Sequence, residues 1–320
     1  MSLSRRRLLG AALFASAAAL PLAALAQAPR PAQRAHVKGK RLRIGTTLHP
    51  YYSFVANIVK DRADVIPLID SNANPHGYTP RPDDMKRCTT LDALVVNGIG
   101  HDEWAFAIVK AAGREKNLPI IYSNASVALI PIGGDAANAK VVNPHTFVST
   151  TAAVQQVYEI ARQLAALDPG NADFYRMNAA DYALRIRKLR AEFMAKIATR
   201  DVSTFRCATM HAGYGYMMQE FGLKTSAIIE PRHGVSPTPR QLAVTIDEIK
   251  AAHVQVLFAE KYFAQAKLAE TIQKETGAKI YALSHISEGP YTPEKFEVEM
   301  KENLDTLYEA IVSVTKPRAA

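Results

Sequence analysis

The hydrophobic and polar positions of this chain follow two alternating periods. Short apolar runs, typical of buried strands, are separated by stretches in which apolar residues recur every three or four positions, as on one face of a helix. Strands are predicted at residues 42–47, 65–69, 93–97, 119–122, 207–210, 226–229, 254–259 and 279–283. Helices are predicted at residues 51–60, 83–90, 102–112, 152–166, 212–221, 239–252, 264–276 and 293–314.

The longest helical pattern lies near mid-chain, at residues 168–200. Its apolar stripe includes Tyr175, Tyr182, Ile186 and Phe193, and no Pro or Gly interrupts it after Gly170. About 28 helical residues would form a rod about 42 Å long. Because four predicted strands precede this stretch and four follow it, we interpret it as a helix that connects two lobes.

Strands that alternate with helices favour parallel sheets covered on both faces. We therefore predict an α/β fold with two lobes, residues 41–167 and 201–320, each a mainly parallel four-stranded sheet flanked by helices. The connecting helix of residues 168–200 joins them. Ligands of such sheets bind beyond the carboxyl ends of the strands, so the expected site is the cleft between the lobes.

The amino terminus has the pattern of an export signal. Three arginines, Arg5 to Arg7, precede an apolar run at residues 8–25, and an Ala-Leu-Ala cleavage pattern follows at residues 24–26. We predict that residues 1–26 are removed. Residues 4–9, Ser-Arg-Arg-Arg-Leu-Leu, also resemble a twin-arginine export signal. The mature protein is expected to be soluble and periplasmic, with residues 27–40 as a disordered basic tail.

Charge and cysteine content narrow the interpretation further. The formal charge of +9 falls to +6 when the three arginines of the signal are removed, and several remaining positive charges lie in the tail. The basic balance is therefore no indication of nucleic-acid binding. Cys88 and Cys207 could form a disulfide in an oxidising compartment, but their apolar surroundings favour two buried thiols.

Histidines at strand ends carry the candidate chemistry. The candidate ligands are four of the nine histidines, two in each half, and each follows a predicted strand: His76, His145, His211 and His285. Imidazole binds metals in its neutral form, and Zn²⁺ favours tetrahedral nitrogen and sulfur ligands. His76 and His145 both follow Asn-Pro, which stiffens the loop before the ligand. We predict a metal centre in the cleft.

Three further histidines also follow strands, and each could be a loop or supporting residue instead of a ligand. We hypothesise that some of them form a weaker capture site at the cleft rim with nearby carboxylates. The groups in this rim hypothesis are His49, His101 and His233, with Asp102, Glu103 or Glu230. His36 is expected to be solvated in the tail, and His253 precedes a strand and is expected to be structural.

At these motifs the chain resembles the metal-binding solute-binding proteins of ABC importers, the ZnuA/TroA type. The similar segments are residues 44–52, 74–84, 94–104, 143–145, 211–222 and 236–260. The resemblance implies His76, His145 and His211 as ligands, and the third position is His in zinc carriers but Glu in manganese or iron carriers. The family often has Asp as fourth ligand, where this chain has Ser284 followed by His285. We expect His285, with water, Ser284 or a nearby carboxylate as alternatives.

The resemblance implies a monomeric, non-enzymatic carrier that captures a divalent metal and delivers it to an ABC permease in the inner membrane. Zn(II) is the expected cargo, with Fe(II) and Mn(II) as alternatives. The His-rich loop of many zinc carriers is absent from residues 133–142. A zinc hydrolase with Glu103 or Glu288 as base is the alternative of another class, although the chain lacks His-Glu-x-x-His. A third alternative is a metal-dependent adhesin or chaperone, which would have the same metal site and differ only in its partner.

Overall fold

Two parallel four-stranded sheets carry the fold, one in each half of the chain. The computed structural model describes residues 41–132, 141–230, 236–261 and 266–318. The strand order is β2-β1-β3-β4 in the first sheet and β6-β5-β7-β8 in the second, so both sheets follow the same plan. The strands of the described residues are β1 Leu42–Thr46, β2 Ala63–Pro67, β3 Ala93–Val96, β4 Ile120–Tyr122, β5 Arg206–Thr209, β6 Lys224–Ile228, β7 Val256–Glu260 and β8 Lys279–Leu283.

Helices connect and cover the strands, and the predicted fold class is confirmed. The α-helices of the described residues are α1 His49–Val59, α2 Pro82–Thr89, α3 Trp104–Ala111, α4 Thr150–Leu167, α5 Ala172–Ile197, α6 Gly215–Glu220, α7 Pro239–Ala251, α8 Ala266–Thr276 and α9 Lys295–Val314. Helix starts differ most from the prediction. Short 3₁₀ turns, Pro169–Asn171 and Ala212–Tyr214, precede α5 and α6, so both α-helices begin later than the apolar pattern indicates.

Helix α5 is embedded in a core that both halves share. Its predicted stripe is buried, with Tyr175, Tyr182 and Ile186 fully enclosed, and the helix packs against α1, α4 and α9. A single apolar cluster continues from Ile44 in the first sheet to Phe258 in the second. Because this core is continuous, large movements of one half against the other would expose apolar surface, which costs free energy.

Several sequence predictions concern parts of the chain that the structure leaves undescribed. The signal at residues 1–26, the tail at residues 27–40, His36 and His233 all lie outside the described residues. Within the described ranges, no helix is both long and apolar enough to cross a bilayer. Cys88 and Cys207 are free and buried, as their apolar surroundings favoured, and burial raises the pKa of the Cys207 thiol to about 12.

Candidate metal centre

The two Asn-Pro-His motifs share one hydrogen bond from the histidine backbone to the asparagine side chain. His76 lies in the 3₁₀ turn Pro75–Gly77 beyond β2, and its backbone N–H donates to the Asn74 side chain at 3.0 Å. The backbone N–H of His145 donates to the Asn143 side chain at 3.1 Å. Asn and Asp side chains commonly stabilise turns by this bond to the backbone two residues on. Each motif therefore holds its histidine on a fixed turn.

The ring of His145 is oriented by the same asparagine. Its Nδ1 lies 2.8 Å from Oδ1 of Asn143, which can only accept, so Nδ1 carries the proton and Nε2 keeps its lone pair. Nε2 of His145 is buried and has no hydrogen-bond partner among the described residues. A buried acceptor without a partner is costly unless another group, such as a cation, satisfies it.

His211 and His285 come from the second sheet. His211 lies just beyond β5, and His285 lies two residues beyond β8. The backbone after His285 is strained, because the β-branched Ile286 has a φ of +58°. Its N–H donates to the Ser284 hydroxyl at 2.9 Å, which helps to hold that conformation.

Ser284, an alternative for the fourth position, faces helix α9. Its hydroxyl donates to the Glu299 carboxylate. Its backbone N–H and C=O pair with the Asn303 side chain at 2.7 and 2.8 Å. Ser284 therefore fixes its loop to helix α9, whereas His285 lies in the cluster of imidazoles.

The four candidate ligands converge. One nitrogen from each of His76, His145, His211 and His285, which we call the four-histidine group, lies within 4.8 Å of all the others. Tetrahedral zinc with bonds of about 2.0–2.1 Å needs nitrogens about 3.4 Å apart, so small side-chain shifts would close the shell.

Gly213 marks where two of these nitrogens point. A Cβ added there would lie 2.6 Å from Nε2 of His211 and closer still to Nε2 of His285. Both Nε2 atoms therefore face one space, which the absence of a side chain at residue 213 keeps open.

Glu260 is a candidate supporting residue that the sequence pattern does not reveal. Its carboxylate lies 2.6 Å from Nδ1 of His211 and 3.8 Å from Nδ1 of His285. A carboxylate at Nδ1 fixes the tautomer and the ring orientation of a histidine that binds metal through Nε2. The residue ends β7, and β7 lies between β5 and β8, so the sheet order sets Glu260 between the two histidines.

The electrostatics of the cluster favour a neutral His145. Burial lowers the pKa of His145 well below 6.5, and the nearby imidazoles of His101, His285, His211 and His76 lower it further. Neutral imidazole is the form that binds metal, so at neutral pH no proton has to leave Nε2 of His145.

His101 also lies in the cluster. Its ring is buried, with its centroid 4.2 Å from that of His76 and 5.0 Å from that of His145. The sequence predicts either a supporting role or a place in a capture site for this residue. The structure thus brings a fifth imidazole beside the four-histidine group.

Two groups of the rim hypothesis, His49 and Asp102, are buried and pair with groups outside the cluster of imidazoles. The hypothesis itself stays a prediction. His49 lies at the start of α1, with Nε2 2.8 Å from the Gly289 carbonyl and its ring stacked on Tyr291. Burial lowers its pKa to about 4. Asp102 accepts from backbone N–H groups of its own loop, including that of Gly98 at 2.9 Å. The carboxylates of Glu103 and Glu230 are not in the four-histidine group.

Hydrogen bonds tie the two sides of the cluster together. The Asn143 amide donates to the Ala212 carbonyl at 2.7 Å, and the Tyr216 hydroxyl donates to the Asn143 carbonyl at 2.8 Å. The Glu220 carboxylate of α6 accepts from the N–H groups of Thr150 and Thr151 at the start of α4. These bonds therefore fix the loops that carry His145 and His211 relative to each other.

Two α/β lobes around one long helix, with imidazoles converging from the strand ends of both, define the class of metal-binding solute-binding proteins. FpvC of Pseudomonas aeruginosa, solved in complex with Mn²⁺, has this fold, with a TM-score of 0.80 and 49% identity, covering 86% of this chain and 99% of FpvC. A structure of FpvC with Ni²⁺ gives the same TM-score and identity, covering 88% of this chain and 100% of FpvC.

The chain belongs to the ZnuA family, described as zinc-uptake complex component A, periplasmic, whose match spans residues 44–310. It is 28% identical over 291 residues to the high-affinity zinc uptake system protein ZnuA of Bacillus subtilis, covering 86% of this chain and 89% of the relative. It is 27% identical over 281 residues to the manganese ABC transporter substrate-binding lipoprotein PsaA of Streptococcus pneumoniae, covering 85% and 89%. The resemblance stated from the sequence is thus confirmed.

Proposed function

We propose that this chain is a periplasmic carrier that binds one divalent metal ion, Zn(II) foremost, through His76, His145, His211 and His285. The carrier delivers the ion to an ABC permease in the inner membrane. The observation that carries the proposal is the convergence of four imidazole nitrogens, all within 4.8 Å of one another, from both halves of the chain.

The donor set favours zinc over manganese as cargo. Four imidazoles and no carboxylate suit a tetrahedral, nitrogen-preferring ion, whereas Mn²⁺ prefers oxygen ligands. Fe(II) and Mn(II) are the alternatives. The Mn²⁺ and Ni²⁺ structures of the 49% identical FpvC support a related site with a wider choice of metal. Availability of each metal in the periplasm then contributes to the selection.

The same geometry argues for a carrier and against a zinc hydrolase. A catalytic zinc keeps an open position for water and needs a general base close to it. Four imidazoles would fill the tetrahedral shell. The Glu260 carboxylate already pairs with Nδ1 of His211 at 2.6 Å, where it would support a ligand.

Release of the ion has to occur without wide opening of the cleft, because the apolar core is continuous between the halves. His76 is the partly exposed member of the four-histidine group, and the other three are buried. We infer that the turn Pro75–Gly77 moves first when the permease accepts the cargo.

The proposal is tested by metal analysis of the protein purified from its own periplasm, together with competition titrations against a zinc chelator. We expect one zinc per chain, and a loss of affinity in the His145→Ala and His285→Ala variants. His253→Asn is the matched control, since His253 is exposed and its φ of +51° suits Asn. A protein without stoichiometric metal, or a His145→Ala variant that binds zinc like the wild type, would refute it.

A further inference from the structure

The five clustered imidazoles form two overlapping sets of three. His145 is at the centre, with its ring centroid 5.1 Å from His76, 5.0 Å from His101, 5.0 Å from His211 and 5.2 Å from His285. The other four rings form two pairs, His76 with His101 and His211 with His285, each 4.2 Å apart. One pair and His145 come from the first half of the chain, and the second pair comes from the second half.

We propose that His76, His101 and His145, here called the N-terminal triad, form a capture site that binds the divalent cation first. His211 and His285 then replace His101, and the ion moves into the four-histidine group. The inference rests on the proposed function and adds to it a loading step and a role for His101. Because both sites use His76 and His145, they hold one ion between them.

The rings of the N-terminal triad are spaced like those of the second set of three, which is His145, His211 and His285. The centroid separations of the N-terminal triad are 4.2, 5.0 and 5.1 Å, against 4.2, 5.0 and 5.2 Å for His145, His211 and His285. Three histidines with water in the fourth position are an established zinc shell. The N-terminal triad is therefore as compact as the set that shares the proposed final site.

The order of binding follows from exposure. His76 is partly exposed, whereas the other four rings are buried, so an ion arriving from solvent meets His76 first. The ring nearest to His76 is His101, at 4.2 Å. The rings of His211 and His285 are farther away, at 6.0 and 6.1 Å. The first chelate available to the ion therefore includes His101.

The loop that carries His101 is built to hold it in place. Gly98 and Gly100 have φ angles of +71° and +108°, which residues other than glycine rarely adopt. Asp102, the next residue, accepts from the N–H groups of Asn97 at 2.7 Å and Gly98 at 2.9 Å. The His101 ring packs edge-on against Phe147 at 5.4 Å. A ligand on a fixed loop loses little entropy on binding.

The test isolates the N-terminal triad by removing the other pair. In the full chain carrying His211→Ala and His285→Ala, we expect one weaker Zn²⁺ site, and adding His101→Ala should weaken it by about 30-fold or more. In the wild-type background, His101→Ala should slow association with Zn²⁺. The fluorescence of Trp104, whose indole N–H donates to Pro75 next to His76 at 2.9 Å, reports the rate.

Two results would overturn the inference. One is equal Zn²⁺ affinity of the double variant with and without His101→Ala. The other is a His101→Ala single variant that associates with zinc as fast as the wild type, a measurement that stands even where the double variant fails to fold. His253→Asn is the control in both backgrounds. Wild-type protein that binds no zinc would instead refute the proposed function, so the two failures are distinguishable.

Discussion

Substitution of Gly213 by Ala adds a single methyl group at the point where two candidate ligands meet. The new Cβ would lie 2.6 Å from Nε2 of His211 and nearer still to Nε2 of His285, whereas real Cβ atoms essentially never come within 3.0 Å of another heavy atom. To reach ordinary contact distance, one ring or both must retreat by about 1 Å. The φ of Gly213 lies outside the left-handed region, so the backbone itself accepts Ala.

The expected loss of zinc-binding free energy corresponds to the contribution of about one ligand. Structural zinc sites with four ligands bind with about 10–16 kcal/mol, or about 3–4 kcal/mol for each ligand, so Gly213→Ala should weaken zinc binding by about 10²–10³-fold. Competition with a chromogenic chelator measures the affinity, and the melting temperature of the metal-free protein checks the fold. We expect that temperature to stay the same or to rise slightly, because Gly→Ala reduces the entropy of the unfolded chain.

Gly77→Ala is the matched control for that experiment. It lies next to His76, and a Cβ there would meet nothing within 4 Å. We expect it to bind zinc like the wild type. If Gly213→Ala also keeps zinc affinity within threefold of the wild type, the nitrogens of His211 and His285 do not share a cation at this point.

Three further predictions concern residues around the centre. Glu260→Gln removes the charge at Nδ1 of His211 and should weaken zinc binding by about 10–100-fold in the same titration, with the fold intact; unchanged affinity would contradict its positioning role. Glu220→Gln, at a carboxylate that caps α4, should lower the free energy of unfolding in urea by about 2–4 kcal/mol, whereas the exposed Glu192→Gln should leave it nearly unchanged; equal effects would refute the cap. His49→Gln should remove part of the acid sensitivity of the metal-free protein. Burial holds the His49 pKa at about 4 against 6.5 when unfolded, so the unfolded chain takes up this proton first as pH falls. The stability from neutral His49 is thus complete above pH 6.5 and lost towards pH 4, a difference of about 3 kcal/mol. Parallel unfolding curves of variant and wild type across that range would refute this.

The sequence predicted the elements and the fold class because both depend on local periodicity. The apolar stripe of α5 and the apolar runs of the strands are local patterns, and the structure differs from them mainly at element ends. Strand-end positions also brought His76, His145, His211 and His285 to the same region, since parallel strands present their carboxyl ends on one edge. The limits of the signal and the tail stay predictions, because those residues lie outside the described chain.

What the sequence could not supply depends on contacts between distant residues. Glu260 supports His211 and His285 only because β7 lies between β5 and β8, and periodicity does not reveal sheet order. The place of His101 beside His76 depends on a loop whose glycines adopt positive φ angles. The sequence pattern places His49 at a strand end, yet its partners, Gly289 and Tyr291, lie about 240 residues further along the chain.

X-ray absorption spectroscopy of the protein loaded with one equivalent of Zn²⁺ tests the central claim most directly. Four imidazoles at one ion predict a shell of about four nitrogens at about 2.0–2.1 Å, with the outer-shell scattering of histidine rings. The His285→Ala variant should lose one of those rings. A wild-type spectrum with fewer than three imidazoles, or with a shell made mostly of carboxylate and water oxygens, would contradict the account.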